Sequence, residues 1–202
     1  MTAETLYTIG HSNHTEDVFL SLLAAQGVSA VADVRSQPFS QYTPQYNKDA
    51  LASILGDADI QYVFLGRELG ARRHEEACYV DGRAKYERVA LQPLFQTGLE
   101  RLFQGMTRYR VSLLCSEGDP IACHRAILVC REIKKQRPVL PIQHILPDGA
   151  TETHEAMEER LVALHGLQPE LFGDLTTLPG LVEKAYALQA SKLEYQPGEA
   201  TP

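Results

Sequence analysis

Five side chains capable of chemistry lie within eleven residues near the middle of the chain. They are two thiols, a carboxylate, an imidazole and a guanidinium: Cys115, Glu117, Cys123, His124 and Arg125. A thiolate is a nucleophile, a histidine or a carboxylate transfers protons, and an arginine presents a planar fork that holds phosphate or carboxylate. The segment therefore predicts a site for acid–base or thiol chemistry on an anionic substrate.

A second set of polar side chains follows two apolar runs nearer the amino terminus. His11 and Ser12 come directly after Leu6–Gly10, and Asp33 and Arg35 close the next run. We expect His11 to act as an acid or base and Ser12 to donate a hydrogen bond to an anion, although a turn with helix capping explains this pair equally well. Asp33 and Arg35 share a face of a strand, so they form an ion pair that either binds substrate or anchors the following loop.

The thiols allow two interpretations. The chain has four cysteines without a CxxC pair: Cys78, Cys115, Cys123 and Cys130. This pattern favours free thiols over disulfides. Cys123 is expected in the first turn of a helix, where the helix dipole and a neighbouring His124 or Arg125 would favour a thiolate. A buried cysteine is also a small apolar residue, and we favour that structural role for each thiol.

Spacing argues against two further classes of site. A cysteine-dependent phosphatase places its arginine on the same short loop as its cysteine, whereas Cys115 precedes Arg125 by ten positions. A zinc site from Cys115, Cys123 and His124 lacks the closely spaced cysteine pairs of structural zinc. We therefore predict no metal and no cofactor.

The central polar segment fits a strand, a tight loop and a helix. Val111–Cys115 is an apolar run typical of a buried strand, and a loop containing glycine follows it. Asp119 is a good N-cap and Pro120 a good first helical residue. Arg125 is then expected to bind an anion together with backbone N–H groups, or else to form a surface pair with Glu117.

The rest of the chain alternates between apolar runs and amphipathic segments. Strands are predicted at Leu6–Gly10, Val28–Arg35, Gln61–Gly66 and Val139–Leu146. Helices are predicted over 15–26 behind an Asn13–Glu16 capping box, 48–55, 85–104 with a break near Pro93, 151–165, and around 181–193. A charged loop is predicted over 67–82.

This alternation predicts an α/β protein with a mainly parallel β-sheet flanked by helices on both faces. We expect a single domain, residues 1–202, with a core over about 5–166 and a C-terminal helical extension over about 167–196 that packs on it. The carboxyl ends of parallel strands form the crevice in which such proteins bind ligands. The polar groups described above all follow predicted strands, so we expect them at that edge.

Other aromatic and histidine side chains are secondary candidates. Tyr42, Tyr46 and Tyr62 are suited to stacking on a base or sugar, although Tyr62 fits the core better. His144, late in the last predicted strand, either reaches the crevice or is a hydrogen-bonded core histidine, and we favour the second role.

Composition limits the partners. The 202 residues carry a formal net charge of −7 at pH 7, which argues against general adhesion to nucleic acid but is compatible with a local basic pocket. No apolar run approaches the ~20 residues that span a bilayer, and the first residues lack the layout of a signal peptide. We therefore expect a cytoplasmic protein with no membrane partner, and the sequence sets no oligomeric state.

Several of these segments together resemble one family. They are Tyr7–Ser12, Asp33–Pro38, Tyr62–Gly66 with Glu68–Gly70, and Leu114–Arg125. Over about Leu6–His144 the chain is similar to a bacterial and archaeal family named "domain of unknown function 488", and the combination of Gly-His-Ser with Cys-x-Glu-x-x-Pro-x-x-Cys-His-Arg is specific. One departure is Ala71, where the family pattern has a second glycine. The resemblance implies no reaction, but it supports the choice of site residues.

We expect an enzyme that acts on a phosphate-bearing or otherwise anionic substrate, such as a nucleotide or a nucleic-acid end. Its anion ligands would be Ser12, Arg35 and Arg125, together with helix N–H groups. Its proton-transfer or orienting groups would be His11, Asp33, Glu117 and His124, and its candidate nucleophiles Cys115 and Cys123. Two alternatives stay open: a non-catalytic module that binds a nucleotide or partner, and a thiol-dependent redox or sulfur-transfer protein.

Overall fold

The computed structural model describes residues 5–169 and 177–198. Its strands are β1 (Leu6–Gly10), β2 (Ala30–Asp33), β3 (Gln61–Phe64), β4 (Tyr79–Val80), β5 (Arg83–Ala84), β6 (Val111–Cys115), β7 (Ile142–Ile145) and β8 (Thr151–Thr153). Strands β4 and β5 form a separate hairpin, and the other six form one sheet in the order β3-β2-β6-β1-β7-β8.

All neighbouring strands of this sheet are parallel except β7 and β8, which are antiparallel. The prediction of a mainly parallel sheet is therefore confirmed. The order places β6 between β2 and β1, so the carboxyl ends of these three strands are neighbours at one edge of the sheet.

The helices follow the predicted pattern, with α1 and α7 shorter than predicted and α2 and α8 longer. They are α1 (Glu16–Ala25), α2 (Lys48–Asp57), α3 (Gly66–Leu69), α4 (Tyr86–Ala90), α5 (Pro93–Met106), α6 (Arg131–Gln136), α7 (His154–Leu164) and α8 (Leu178–Leu193). A π-helical segment, Arg125–Cys130, runs directly into α6. The predicted break near Pro93 is confirmed, because this proline is the first residue of α5, where its missing N–H is not needed.

The predicted starts of two helices are wrong, because a threonine further along the chain caps each helix. Thr15, not Asn13, is the N-cap of α1, and its Oγ1 accepts a hydrogen bond from the Val18 N–H at 3.4 Å. At the other end of the chain, Thr153 caps α7 through the Ala156 N–H at 3.1 Å. The residues before that cap, predicted as helix, instead form the edge strand β8, in which Thr153 pairs with Gln143.

The segment predicted as a charged loop contains regular structure. It includes α3, a 3-10 turn at Glu76–Cys78, and the β4–β5 hairpin. The hairpin turn is Asp81-Gly82, whose φ angles of 49° and 76° are both positive, as a tight two-residue hairpin turn requires.

The core has one apolar cluster on each face of the sheet. Successive residues of a strand point to opposite faces. Accordingly Leu113 belongs to the cluster beneath α5, α7 and α8, whereas Leu114 belongs to the cluster beneath α1 and α2. The prediction of helices on both faces is confirmed by this arrangement.

Helix α8 packs on the same core as the rest of the domain. Leu181, Ala185 and Tyr186 recur at helical spacing and are buried in the first cluster. Residues 170–176 of the predicted extension lie outside the described residues, as do residues 199–202. Among the helices that are described, none has the length and apolar character needed to cross a bilayer.

Candidate functional site

The loop after β6 packs so closely on the end of β1 that only glycine fits at position 10. A Cβ atom there would lie 1.7 Å from the backbone oxygen of Glu117. Beyond the strands, the His11 N–H donates to the Cys115 carbonyl at 3.0 Å and the Ser12 N–H donates to the Ser116 carbonyl at 2.8 Å. The loops that carry the two predicted sets of polar residues are thereby joined.

An ion pair at the end of β2 holds the first half of the site. Arg35 donates from Nε to Asp33 Oδ1 at 2.9 Å and from Nη2 to Asp33 Oδ2 at 2.7 Å. The Tyr62 hydroxyl donates to the same Oδ2 at 2.8 Å. Burial opposes the charge on Arg35, but the Asp33 carboxylate outweighs it and raises the pKa of the guanidinium. Asp33 and Arg35 are both buried, so the pair is a fixed part of the site.

His11 is held neutral beside this pair. Its Nδ1 lies 2.8 Å from the Ser12 carbonyl oxygen, so Nδ1 carries the proton, and its Nε2 accepts from Arg35 Nη1 at 3.2 Å. Burial, followed by the charge of Arg35, lowers the pKa of His11 to about 4. The ring stacks on Tyr46 with the centroids 4.2 Å apart. Both ring nitrogens are thus engaged, and the imidazole serves as a wall and a hydrogen-bond acceptor.

The second half of the site contains two thiols and an imidazole. His124 Nδ1 lies 3.5 Å from Cys115 Sγ and 4.0 Å from Cys123 Sγ. The other ring nitrogen, Nε2, donates to the Val34 carbonyl oxygen at 3.0 Å, which fixes the ring with Nδ1 toward the sulfurs. Because Val34 lies between Asp33 and Arg35, this bond also joins the two halves of the site.

The groups in the second half of the site differ in the direction in which their pKa values are shifted. Burial and the nearby Cys123 raise the pKa of the Cys115 thiol well above its usual range. Burial opposes ionisation of Cys123 too, but a hydrogen bond from Cys115 and the charge of Arg125 hold its pKa well below that range. Burial lowers the pKa of His124, and the Cys123 sulfur more than reverses this, so the net direction is upward. Ionisation is thus favoured at Cys123 over Cys115, and the nearby Cys123 sulfur favours the protonated form of His124.

Glu117 lies at the solvent side of the thiols. As a residue it is exposed, yet its Oε2 is 3.1 Å from Cys115 Sγ. Desolvation of the carboxyl group and the negative charge of Cys123 raise the pKa of Glu117. A carboxyl with a raised pKa beside a thiol is suited to proton transfer.

Arg125 occupies a position that the sequence did not indicate. It is fully buried, and its Nη1 and Nη2 donate to the Glu117 and Gly118 carbonyls, the second at 2.9 Å. Its Nε donates to Thr8 Oγ1 at 3.3 Å. The surface pair with the Glu117 carboxylate is therefore absent, and the guanidinium holds the loop from inside. Its role as an anion ligand stays a prediction.

The helix after this loop starts later than its sequence indicated. Asp119 does act as a cap, accepting from the Ile121 N–H at 3.0 Å, but it caps a 3-10 turn, Pro120–Ala122. Cys123 follows with an extended backbone, and its sulfur accepts the Arg125 N–H at 3.4 Å before the π-helical segment begins. Cys123 therefore precedes the helix rather than lying in its first turn, although it still faces the helix N-terminus.

His144 is a hydrogen-bonded core residue. It is fully buried, with Nδ1 2.8 Å from Thr8 Oγ1 and Nε2 3.0 Å from His154 Nδ1. Its ring is thus satisfied inside the sheet, away from the crevice. Of the three tyrosines considered for stacking, Tyr42 is 86% exposed, whereas Tyr46 is buried under His11 and Tyr62 binds Asp33.

The fold and the site together define an α/β protein whose candidate site is a set of polar side chains at the carboxyl edge of a mainly parallel sheet. The family model "Domain of unknown function DUF488" matches residues 15–131, more than half of the chain, and the chain belongs to this family. The match omits β1, His11 and Ser12, which the resemblance had included. No curated protein and no solved structure matches the chain.

The structure brings together most of the residues that the sequence singled out. His11, Asp33 and Arg35 form one cluster, and Cys115, Glu117, Cys123 and His124 form the other. Ser12 lies at the joined loops with a φ of 49°. Sequence reasoning missed Val34, which acts through its carbonyl, and it assigned Tyr62 to the core. Tyr62 pairs with Val31, which lies two residues before Asp33 on the same face of β2, and only this long-range register, which the sequence does not show, brings its hydroxyl to the carboxylate.

Proposed function

We propose that this protein is a cytoplasmic enzyme that acts on a phosphate-bearing or otherwise anionic substrate, such as a nucleotide or a nucleic-acid end, at the carboxyl edge of its sheet. The observation that carries the proposal is the placement of His124, fixed at Nε2 by the Val34 carbonyl at 3.0 Å and facing Cys115 Sγ with Nδ1 at 3.5 Å. An imidazole oriented by a third group toward a thiol is an arrangement that nucleophilic and acid–base catalysis use.

Arg35 supplies the anion-binding side in this proposal. Its contacts with Asp33 and His11 use three of the five N–H groups of a guanidinium, so two have no partner among residues 5–169 and 177–198. The bidentate bond to Asp33 fixes the plane of the fork, which favours recognition of a planar or tetrahedral oxyanion. His11 accepts a hydrogen bond from Arg35 as a neutral ring, so it adds no positive charge to the anion-binding side.

A basic cleft next to Arg35 supports an anionic substrate. The cleft has a volume of about 450 Å³ and begins at Ser36 and Gln37, directly after Arg35. Its other lining includes four basic side chains and one acid: Arg67, Arg72, Arg73, His74 and Glu75. A local excess of positive charge raises the concentration of an anion even when the whole chain is acidic.

The reactive side of the crevice is assigned to His124, Glu117 and the two thiols. His124 rather than His11 transfers the proton, because both nitrogens of His11 are engaged and its pKa of about 4 leaves it neutral without a free lone pair. Glu117 is the second acid–base group, since its carboxyl lies between solvent and Cys115. Arg125 positions the loop that carries Glu117.

A second candidate function rests on the two sulfurs themselves. Cys115 Sγ, Cys123 Sγ and His124 Nδ1 all lie within 4.8 Å of one another. A thiolate stabilised by a neighbouring thiol is the arrangement of thiol-dependent redox and sulfur-transfer proteins. Rapid alkylation of Cys123 at neutral pH, lost in Cys115→Ala, would favour this candidate.

Binding is the first test of the proposed function. Thermal unfolding is measured with inorganic phosphate, mononucleotides and short oligonucleotides for the wild type, for Arg35→Lys, and for the exposed control Arg108→Ala. A ligand that binds only the folded chain raises the midpoint by mass action. We expect one phosphate class to raise it in the wild type and control but not in Arg35→Lys. Equal shifts in Arg35→Lys, or none in any protein, would contradict the proposal.

Turnover separates an enzyme from a binding module. The ligand class that binds is incubated with wild type and with His124→Asn, and its products are followed by chromatography. We expect conversion by the wild type, and a loss of about 100-fold or more in His124→Asn with ligand affinity retained, because proton transfer contributes roughly 10²–10⁴-fold. Binding without conversion would contradict the proposed enzyme and indicate a binding module.

A further inference from the structure

The two thiols and His124 have the geometry of metal ligands. Two ligands at 2.0–2.3 Å from a tetrahedral zinc ion are roughly 3.5–3.8 Å apart. His124 Nδ1 lies 3.5 Å from Cys115 Sγ and 4.0 Å from Cys123 Sγ, and the three donor atoms lie within 4.8 Å of one another. One ion fits between them with small side-chain shifts.

The surroundings of these donors are those of a metal site. A histidine that ligates a metal donates its other ring N–H to a carbonyl or carboxylate, which orients the ring. His124 Nε2 meets this requirement through the Val34 carbonyl at 3.0 Å. Cys123 Sγ also accepts a backbone N–H, that of Arg125, at 3.4 Å, which stabilises a ligating thiolate.

Backbone anchoring holds the ligands in place without an ion. Cys115 ends β6, and its carbonyl accepts the His11 N–H at 3.0 Å. Cys123 and His124 are fixed on the opposite side of the loop, because Arg125 holds the Glu117 and Gly118 carbonyls from inside. Cys115 and Cys123 are 3% and 1% exposed, so the two sulfurs are shielded from bulk water.

We propose that Cys115, Cys123 and His124 bind one transition-metal ion of the Zn²⁺ class, with the carboxylate of Glu117 beside the fourth position. Two thiolates and an imidazole select a borderline-soft ion over Mg²⁺ or Ca²⁺, which prefer oxygen ligands. Three protein ligands with an adjacent acid leave one position open, as catalytic zinc sites do. The inference rests on the geometry of the three donors and not on the proposed function, but it uses the same atoms: a bound ion would occupy His124 Nδ1 and both sulfurs, so proton transfer by His124 applies to the metal-free chain.

The test uses the full chain, stripped with a chelator under reducing conditions and titrated with Co²⁺ as the probe. We expect one Co²⁺ per chain, with a thiolate-to-metal charge-transfer band and the visible bands of a tetrahedral site. Loss of a residue that only hydrogen-bonds to a ligand already lowers metal affinity roughly 10–100-fold, and loss of a ligand itself should lower it more. We therefore expect Cys123→Ala and His124→Asn to bind Co²⁺ at least about 100-fold more weakly. Cys78→Ala, which removes a buried thiol elsewhere, should bind like wild type.

Co²⁺ binding without a thiolate band, or equal affinity in Cys123→Ala and Cys78→Ala, would overturn the proposal. If Cys123→Ala does not fold, X-ray absorption of Zn²⁺-loaded wild type decides the question. Two sulfur neighbours at about 2.3 Å are expected, and a shell of nitrogen and oxygen alone overturns the site. The Co²⁺ titration contains no substrate. A chain that binds the metal but none of the anions in the thermal-unfolding test would therefore support this inference and contradict the proposed function.

Discussion

Thr8 Oγ1 lies 2.8 Å from His144 Nδ1 and accepts the Nε–H of Arg125, so one hydroxyl joins the buried arginine to a buried histidine. From His144 the bonds continue to His154 at 3.0 Å and from there to the Tyr186 hydroxyl at 3.0 Å. All the donors and acceptors are satisfied if both rings are neutral with the proton on Nε2. The chain of bonds therefore ties α7 and α8 to β1, which carries Thr8 and leads into His11.

The neutral histidines make the fold sensitive to acid. Burial lowers the pKa of His154 to about 4, from an ordinary value of 6.5. Between these two values the unfolded chain binds more protons than the folded chain, so the free energy of unfolding falls as the pH falls from 6.5 to 4. At about 1.4 kcal/mol per pKa unit, His154 accounts for about 3 kcal/mol of this loss. Urea unfolding as a function of pH measures it.

The matched variants for this prediction are His154→Gln and His74→Gln. His154→Gln should lower stability at neutral pH and flatten its dependence between pH 4 and 6.5, since the titrating group is gone. His74 is exposed, and its replacement should leave the curve unchanged. A curve for His154→Gln as steep as that of the wild type would show that other groups cause the acid sensitivity.

Arg125 should be required for the fold. Its guanidinium is fully buried and donates to two carbonyls and to Thr8. Arg125→Ala leaves these acceptors without partners, at roughly 1–3 kcal/mol for each, so we expect a loss of about 3 kcal/mol or more. Urea unfolding of this variant is compared with that of exposed Arg108→Ala, which should stay within about 0.5 kcal/mol of wild type. A stable Arg125→Ala protein would mean that the loop keeps its shape without the guanidinium.

Gly10→Ala should displace the loop after β6 from the end of β1. The added methyl group would lie 1.7 Å from the Glu117 backbone oxygen, and backbone cannot move aside as a flexible side chain can. We expect either no folded protein or a displaced loop with altered metal and anion binding, measured by circular dichroism and the binding assays above. Gly56→Ala is the control: nothing lies within 4 Å of its added Cβ, and in α2 it should stabilise by about 0.5–1 kcal/mol. Normal folding and binding in Gly10→Ala would contradict this account.

The parallel sheet and the clustering of polar residues were predictable because both follow from short-range pattern. Apolar runs define the strands, and polar residues just after them must meet at one edge. The buried position of Arg125 was not predictable, since it depends on hydrogen bonds to two loop carbonyls and to Thr8, a residue more than a hundred positions away.

The spacing rule for zinc ligands failed to predict, for a related reason, that Cys115, Cys123 and His124 lie together. That rule describes ligands on one hairpin or turn, whereas here one thiol ends a strand and the other follows a 3-10 turn at the far end of a folded loop. The edge strand β8 was missed because Thr151–Thr153 has no apolar alternation and pairs only through its backbone with β7.

Two variants at the Asp33–Arg35 pair separate the effect of charge on stability from the effect of a hydrogen bond. Asp33→Asn removes the negative charge and leaves a buried guanidinium without its partner, which should cost about 3–5 kcal/mol of unfolding free energy and reorient Arg35. Tyr62→Phe removes only the hydroxyl that donates to Asp33 at 2.8 Å, so about 1 kcal/mol is expected, with anion binding largely kept. Exposed Asp57→Asn, at the end of α2, should change neither quantity. If Asp33→Asn were as stable as Tyr62→Phe, the pair would contribute through hydrogen bonds alone, and the charge of Arg35 would already be available to a substrate.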